Sequence, residues 1–169
     1  VFNYFVDSVS GRPNMRGGTY QVDMLPTTCH IYFGDVMIAS PNGRLARKPV
    51  SEGISPEKGA DVSGPTAVIK SCAKMDHLKT GGTLLTPAVV AGENGLDHMA
   101  DLVRTYFDMD GHHIQFNVVG RETLLAAQKN PEEYRDLIVR VAGYSDYFRN
   151  LDKPLQDEII ERTEQDFGC

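Results

Sequence analysis

The sequence predicts a mixed α/β fold, because two periodic patterns alternate along it and breaks separate them. Apolar residues recur with helical spacing in several stretches, most clearly at residues 65–75 and 94–108. Other stretches alternate apolar and polar residues, most clearly His113–Val119, as strands do. Clusters of glycine and proline stand between these stretches, so helices and strands are expected to follow one another.

The N-terminal third is predicted to contain two apolar segments, a strand and a loop. An apolar and aromatic run covers Val1–Val9, and a second segment, Thr19–Leu25, is stopped by Pro26. Residues His30–Ile38 are rich in aromatic and branched side chains, which favours a strand. Residues 41–65 are rich in glycine and proline and predict a long ordered loop, a feature that is often functional.

The rest of the chain is predicted to contain more helix than strand. Pro65 favours a helix start, with Ser63 as its cap and Gly81 as its end. Asn94 is the expected cap of a second helix that runs to Asp108. The remaining predicted elements are a strand at His113–Val119, a helix at Arg121–Lys129, a short helix at Pro131–Leu137, a strand at Ile138–Val141 and a helix at Asp152–Gln165.

Composition and charge argue against several classes of function. The 169 residues carry a formal net charge of −6 without an offsetting basic cluster, so nucleic acid is not an expected partner. No apolar stretch reaches transmembrane length, so no membrane association is expected. An apolar start at Val1, without an initiator methionine, is expected of a chain cut from a longer one.

No metal site is expected either. The 3 cysteines show no Cys-x-x-Cys spacing, which favours a reducing compartment without disulfides or zinc. Cys29 and Cys72 are expected to be small buried residues. His112 and His113 are neighbours on a predicted strand and should point to opposite faces, which makes a shared metal ion unfavourable.

Gly143 is the most informative residue, at the centre of Arg140-Val141-Ala142-Gly143-Tyr144. A radical on a glycine Cα is delocalised between the amide nitrogen and the carbonyl group, which requires a planar Cα without a side chain. Glycine also adopts backbone conformations that are closed to other residues. A second interpretation of these residues is that Gly143 only ends a strand and turns the chain.

Four short motifs, in order, carry a resemblance to the glycyl radical enzymes, the pyruvate formate-lyase-like family. They are Gly53-Ile54-Ser55-Pro56, Gly64-Pro65-Thr66-Ala67, Gln115-Phe116-Asn117-Val118 and the run from Arg140 to Tyr144. The resemblance covers nearly the whole chain. It implies the C-terminal part of a ten-stranded α/β barrel with the radical loop at the barrel centre. Residues 1–45 would be the final barrel strands and connections, and residues 46–169 the glycyl radical domain.

The resemblance also implies roles for individual residues. Gly143 would be the catalytic radical carrier. The flanking residues that would pack the radical loop or dock the activating enzyme are Arg140, Val141, Ala142 and Tyr144. Residues expected near the substrate, where the final barrel strand approaches the active site, are Tyr20, Asp23 and Thr27.

The chemistry implied by the resemblance uses a protein-derived radical on Gly143 and no bound cofactor. A radical S-adenosylmethionine activating enzyme with a 4Fe–4S cluster would remove hydrogen from Gly143. The glycyl radical would then take hydrogen from a cysteine, whose thiyl radical attacks the substrate. The family's cysteine loop, Gly-Cys-Val-Glu or close to it, does not occur in this sequence. The thiyl cysteine and a catalytic glutamate are therefore expected on the remainder of the barrel, and this chain alone is expected to be inactive. A homodimer in the cytoplasm of an anaerobe is the expected setting.

Further stretches resemble the dehydratase and lyase branch of the family. Asn130–Tyr134 is similar to that branch, and Lys48–Gly53, Lys74–His77 and Gly111–Gln115 are similar to dehydratases of trans-4-hydroxy-L-proline. The implied activity is that of a hydro-lyase. Other lyases stay open: glycerol or propanediol dehydratase, choline trimethylamine-lyase and formate acetyltransferase. The Leu85-Thr86 junction is a few residues shorter than in the family, through either a true deletion or missing residues.

Two further hypotheses belong to other classes. The chain could be a stand-alone glycyl radical subunit that complements a partner or an oxygen-damaged enzyme of the formate-lyase type. It could also be a non-enzymatic α/β binding domain in which Gly143 is only a turn residue. The first predicts a large partner protein, and the second predicts that Gly143→Ala keeps ligand binding.

Overall fold

Six α-helices and five short strands alternate along residues 1–87 and 95–162, the residues that the computed structural model describes. The helices are α1 (Phe2–Val9), α2 (Cys29–Val36), α3 (Pro65–Cys72), α4 (Gly95–Asp108), α5 (Arg121–Lys129) and α6 (Lys153–Arg162). The strands are β1 (Asp23–Met24), β2 (Gly82–Leu85), β3 (His113–Ile114), β4 (Ile138–Arg140) and β5 (Ser145–Tyr147). The α/β class predicted from the sequence is confirmed.

The first three strands form a parallel sheet in the order β1-β2-β3. Asp23 pairs with Gly82 on one side of β2, and Leu84 pairs with His113 on the other. Parallel neighbours need long crossover connections, and here those connections contain α2 and α3, and then α4. The central strand is buried, as expected for a parallel sheet that is covered by helices.

Two apolar clusters fill the interior of the part of the chain that the structure describes. The first joins β4, α5 and α6, and its members include Leu124, Leu155, Phe148, Ile159 and Ile160. The second joins α3, α4 and β2, and its largest members are Ile54, Ile69, Leu85, Leu102 and Tyr106. The antiparallel hairpin β4–β5 therefore belongs to the first cluster, and the central strand of the parallel sheet belongs to the second.

The prediction of a strand at His30–Ile38 is wrong, because this segment forms helix α2. Its buried residues, His30 and Gly34, are four positions apart, which is helical spacing. Gly34 lies against the loop backbone, since a Cβ atom added to it would stand 2.2 Å from the carbonyl oxygen of Lys48. A short apolar run has no period that separates a helix from a strand. The loop predicted at 41–65 is confirmed, because no helix or strand lies between α2 and α3 in this described segment.

Other predicted boundaries are confirmed in part. Helix α3 begins at Pro65, but it ends at Cys72 instead of Gly81, and Gly64 occupies the cap position predicted for Ser63. Helix α5 has the predicted bounds and α4 has the predicted end, whereas the proposed cap Asn94 lies outside the described residues. Residues 131–136 form turns where a short helix was predicted.

The observed strand β3 is also shorter than the strand that the alternating pattern predicts at His113–Val119. Strand β3 ends at Ile114, and the buried residues that follow are Gln115 and Asn117. Val118, by contrast, is exposed. The buried side of this segment is therefore lined by two amides. Among the described residues, no helix combines the length and the apolar character that a membrane span requires.

Candidate functional site

Gly143 lies in the turn of the β4–β5 hairpin. Arg140 pairs with Ser145 across the two strands, and the N–H of Val141 donates a hydrogen bond to the carbonyl oxygen of Tyr144 at 2.9 Å. Gly143 has a φ of +75°, in the left-handed region that side chains disfavour. The backbone conformation of this turn thus accounts for a glycine at this position, independently of any chemistry.

The residues of the turn differ sharply in burial. Val141 and Ala142 are buried in the first apolar cluster or beside it, whereas Gly143 and Tyr144 are exposed. Apart from Gly143 itself and its two neighbours in the chain, no heavy atom of the described residues lies within 4 Å of the position that a Cβ of Gly143 would occupy. Two buried residues therefore attach the turn to the core, and the Cα of Gly143 is open to approach from outside this chain.

Gln115 holds the turn from outside the hairpin. Its side-chain oxygen accepts hydrogen bonds from the N–H of Gly143 at 3.0 Å and from Nε of Arg140 at 3.1 Å. Its amide nitrogen donates to the hydroxyl of Thr86 at 3.0 Å and reaches the carbonyl oxygen of Val141 at 3.4 Å. One buried side chain thus contacts three residues of the Arg140–Gly143 run.

Arg162, at the end of α6, holds the same turn from a second direction. Its Nη1 donates to the carbonyl oxygen of Val141 at 2.7 Å. The guanidinium group pairs with Glu158 at 2.6 Å and lies 3.6 Å from a carboxylate oxygen of Glu52. Glu158 in turn lies 3.4 Å from Nε2 of His30 on α2. A buried charged cluster, formed by His30, Glu52, Glu158 and Arg162, therefore connects α2, the long loop and α6 to the hairpin turn.

The two carboxylates of this cluster have opposite pKa shifts. Burial alone would raise the pKa of Glu158, but hydrogen bonding to His30 and the charge of Arg162 outweigh it and lower the pKa to about 2. For Glu52, burial raises the pKa and the charge of Arg162 offsets this only in part. Glu158 is therefore the carboxylate that keeps Arg162 neutralised over the widest pH range.

The other residues predicted for the site are more dispersed. Arg140 is half-buried and also reaches the hydroxyl of Ser145 at 3.3 Å. Asp23 is an exposed residue of β1, and Tyr20 and Thr27 are exposed on the segments that flank that strand. Thr27 has a φ of +44°, an unusual value for a residue with a branched side chain. The structure thus joins the predicted radical-loop residues in one hairpin and places the three predicted substrate residues around β1.

The described residues contain no group of three or more histidines, cysteines or acidic residues that could hold a metal ion. Cys72 is buried, and this burial raises the pKa of its thiol to about 11, so it is a structural residue. Cys29 is exposed, and the prediction that it is buried is wrong. Its position on the outer face of α2 follows from the helix that replaced the predicted strand.

Sequence reasoning missed Gln115 and Arg162 as residues of the site. Gln115 stood within a motif quoted for the resemblance, and it is a polar residue inside an alternating apolar stretch. Such an interruption is a signal for a buried amide with a specific partner. Arg162 gave no comparable signal, because its contact with the turn joins residues 21 positions apart.

Comparisons with known proteins agree with the geometry of the turn. The glycine radical family model matches residues 50–149. The chain is 71% identical over 171 aligned residues to the trans-4-hydroxy-L-proline dehydratase of Clostridioides difficile, which covers 99% of this chain and 22% of that protein. It is 46% identical over 178 aligned residues to an isethionate sulfite-lyase of Oleidesulfovibrio alaskensis, over 95% of this chain and 21% of the relative. The chain spans about a fifth of the length of these curated relatives.

Solved structures are similar over the same extent. The crystal structure of hydroxyproline dehydratase from Clostridioides difficile, with trans-4-hydroxy-L-proline bound, superposes with a TM-score of 0.91 at 70% identity, over 98% of this chain and 22% of that one. The glycerol-bound B12-independent glycerol dehydratase of Clostridium butyricum superposes with a TM-score of 0.87 at 47% identity, over 94% and 21%.

Proposed function

The chain belongs to the glycine radical family, and from that premise we propose that it is the radical-carrying C-terminal portion of a dehydratase that removes water from trans-4-hydroxy-L-proline. One observation carries the proposal: the chain is 71% identical, over 99% of its length, to a dehydratase of that substrate. The hairpin turn at Gly143 supplies the chemical part of the argument. Relatives that act on isethionate and on glycerol are less similar, at 46% and 47% identity.

In this proposal the catalytic residue is Gly143, which stores the unpaired electron on its Cα. Loss of a hydrogen atom there leaves a radical that the adjoining amide nitrogen and carbonyl group stabilise. Within this chain, no residue beyond its neighbours blocks the approach to this Cα, so the access of an activating enzyme would be decided by the rest of the barrel. Val141 and Ala142 anchor the turn in the core, and the more exposed Arg140 and Tyr144 are offered to the activating enzyme.

The remaining catalytic groups are proposed to lie outside this chain. A thiyl cysteine and a catalytic glutamate would come from the remainder of the barrel, and residues 1–45 would be the final barrel strands and connections, with β1 as the strand that this segment contains. Residues 46–169 would then be the glycyl radical domain. Tyr20, Asp23 and Thr27 are exposed around β1, which is compatible with a place near the substrate once the rest of the barrel covers them.

The proposal also defines a partner and a setting. The partner is a radical S-adenosylmethionine enzyme with a 4Fe–4S cluster, which takes the hydrogen atom from Gly143. The enzyme would be a homodimer. It would work in the cytoplasm of an anaerobe, because oxygen destroys a glycyl radical. Exclusion of water and oxygen by the rest of the barrel would be part of catalysis.

Electron paramagnetic resonance after anaerobic activation tests the proposal. The native protein is treated with the activating enzyme of the Clostridioides difficile relative, and that relative serves as the positive control. A doublet from the single remaining Cα hydrogen is expected, and it should collapse when glycine deuterated at Cα is incorporated. Turnover of trans-4-hydroxy-L-proline should exceed turnover of glycerol, propanediol and isethionate. The proposal would be contradicted if the control enzyme forms its radical and the native protein, treated in the same way, forms none.

A further inference from the structure

Gln115 contacts the peptide group that would share the unpaired electron. Its side-chain oxygen lies 3.0 Å from the N–H of Gly143, the nitrogen next to the radical carbon. The side chain is 5% exposed and comes from the segment after β3, 28 residues before the glycine. We propose that Gln115 is a positioning residue that sets the orientation of the Gly143 peptide and the spin density on its nitrogen. This inference rests on the proposed function.

The orientation of the Gln115 amide follows from its partners. The N–H of Gly143 and the guanidinium of Arg140 can only donate, so the oxygen must face them. The carbonyl oxygen of Val141 can only accept, so the amide nitrogen must face it. With Thr86 as a further acceptor, the side chain is held at both ends. These contacts hold the side chain in one rotamer, with its oxygen facing Gly143.

A hydrogen bond accepted from the N–H of Gly143 acts on the radical in two ways. It fixes the plane of the amide, and delocalisation depends on the alignment of that plane with the radical carbon. It also polarises the N–H bond towards the acceptor, which increases the electron density that the nitrogen donates. Arg140 acts on the same oxygen, so its charge modulates how strongly Gln115 accepts.

Asn117 provides a matched comparison on the same segment. It is also an amide with 5% exposure, but its nitrogen lies 3.5 Å from the carbonyl oxygen of Arg140, not beside Gly143. Gln115→Met and Asn117→Leu each replace a buried amide with an apolar side chain of similar size. The two substitutions differ in whether the Gly143 N–H loses its acceptor. Gln115→Glu keeps an acceptor for the N–H of Gly143, but this acceptor is a carboxylate, which accepts a stronger hydrogen bond than an amide oxygen, and the donor end is removed.

The test measures the nitrogen hyperfine coupling and the yield of the glycyl radical, in native protein that contains ¹⁵N-glycine. For Gln115→Met we expect an altered coupling and a radical yield lower by about tenfold, because the N–H of Gly143 loses its acceptor. In Gln115→Glu the charged acceptor should shift the coupling in the opposite direction, whereas Asn117→Leu should retain the wild-type coupling. If Gln115→Met forms too little radical to measure, the shift in Gln115→Glu decides in its place.

Each outcome separates this inference from the proposed function. A wild-type protein that forms no radical, beside a competent control, removes the proposed function and this inference together. If the wild type forms the radical and the coupling in Gln115→Met is the same, the inference alone is overturned, even if the yield falls, because a folding defect also lowers the yield. An unchanged coupling in Gln115→Glu overturns it as well.

Discussion

Two glycine turns in this chain have similar φ values at the glycine and different supports. Gly17 and Gly143 have φ values of +81° and +75°, and at neither does a heavy atom beyond the neighbouring residues lie within 4 Å of an added Cβ. The Gly17 turn is held by its own Asn14, whose side-chain oxygen accepts from the N–H groups of Arg16 and Gly18 at 2.9 and 3.0 Å. The Gly143 turn is held by Gln115 and Arg162, which are 28 and 21 residues from their contacts in it.

The comparison distinguishes the residues that a left-handed turn requires from those that the proposed radical chemistry would require. A left-handed turn requires a glycine and can be completed with a local side chain, as at Gly17. The Gly143 turn has in addition two buried polar side chains that come from distant elements. Ordering such groups costs free energy, and a left-handed turn can form without them, as at Gly17. We interpret the distant supports as the mark of a turn whose position matters for chemistry.

The largest expected effect is on radical formation and turnover, and it should distinguish the two glycines. Gly143→Ala and Gly17→Ala should each lose about 1 kcal/mol of unfolding free energy, because both place a side chain at positive φ. Only Gly143→Ala should abolish the radical signal and turnover. The measurements are chemical denaturation for stability and substrate consumption for activity. A Gly143→Ala protein that still turns over substrate would show that Gly143 is a turn residue and no more.

Removal of the Arg162 support should be the largest effect on stability. Arg162→Met removes the guanidinium partner of the buried Glu158, which keeps only its longer contacts with His30 and Lys58, so we expect a loss of about 3–5 kcal/mol in unfolding free energy. Arg104→Met is the control, because Arg104 forms an exposed pair with Asp101 and should cost about 1 kcal/mol or less. Equal losses in the two variants would argue that the buried charged cluster does not support the hairpin.

The same cluster predicts a dependence of stability on acid. The pKa of Glu158 is lowered to about 2 in the folded protein, so its contribution is present above the unfolded pKa near 4.5. That contribution is lost as the pH falls through about 2, and the linked change is of the order of 3 kcal/mol. Between pH 6 and 2, the free energy of unfolding should therefore fall more steeply with decreasing pH in the wild type than in Glu158→Gln. Parallel curves would contradict the assigned role of Glu158.

The smallest expected effect concerns the local support of the other turn. Asn14→Ala removes two hydrogen bonds in an exposed loop and should cost about 1 kcal/mol. Radical yield should be unchanged within error, since Asn14 belongs to the Gly17 turn. A loss of radical in this variant would mean that the two turns are coupled, and the comparison would then fail.

The sequence predicted those parts of the fold that local signals determine. Helix α5 has the predicted bounds, because Asn130 and Pro131 stop a helical pattern there. The resemblance to glycyl radical enzymes, carried by short motifs in order, is confirmed by the family match and by the identity to the hydroxyproline dehydratase. Both successes depend on residues that are neighbours in sequence.

The failures concern contacts between distant parts of the chain. Helix α2 was predicted as a strand, because its burial depends on the approach of the Lys48 backbone to Gly34, which no local pattern records. Gln115 was quoted in a motif without a role, since its partner Gly143 lies two elements further along the chain. The candidate site could therefore be proposed from the sequence at its centre, where the motif lies, but not at its supports.

The most direct test of the central claim is the intact mass of the denatured native protein, after anaerobic activation and then exposure to air. Oxygen attacks a glycyl radical and cuts the backbone at that residue. We predict the loss of a short C-terminal piece that begins near Gly143, and the parent mass will distinguish a whole enzyme from a stand-alone subunit. An uncut chain, with the control enzyme cut in the same experiment, would contradict the assignment of the radical to Gly143.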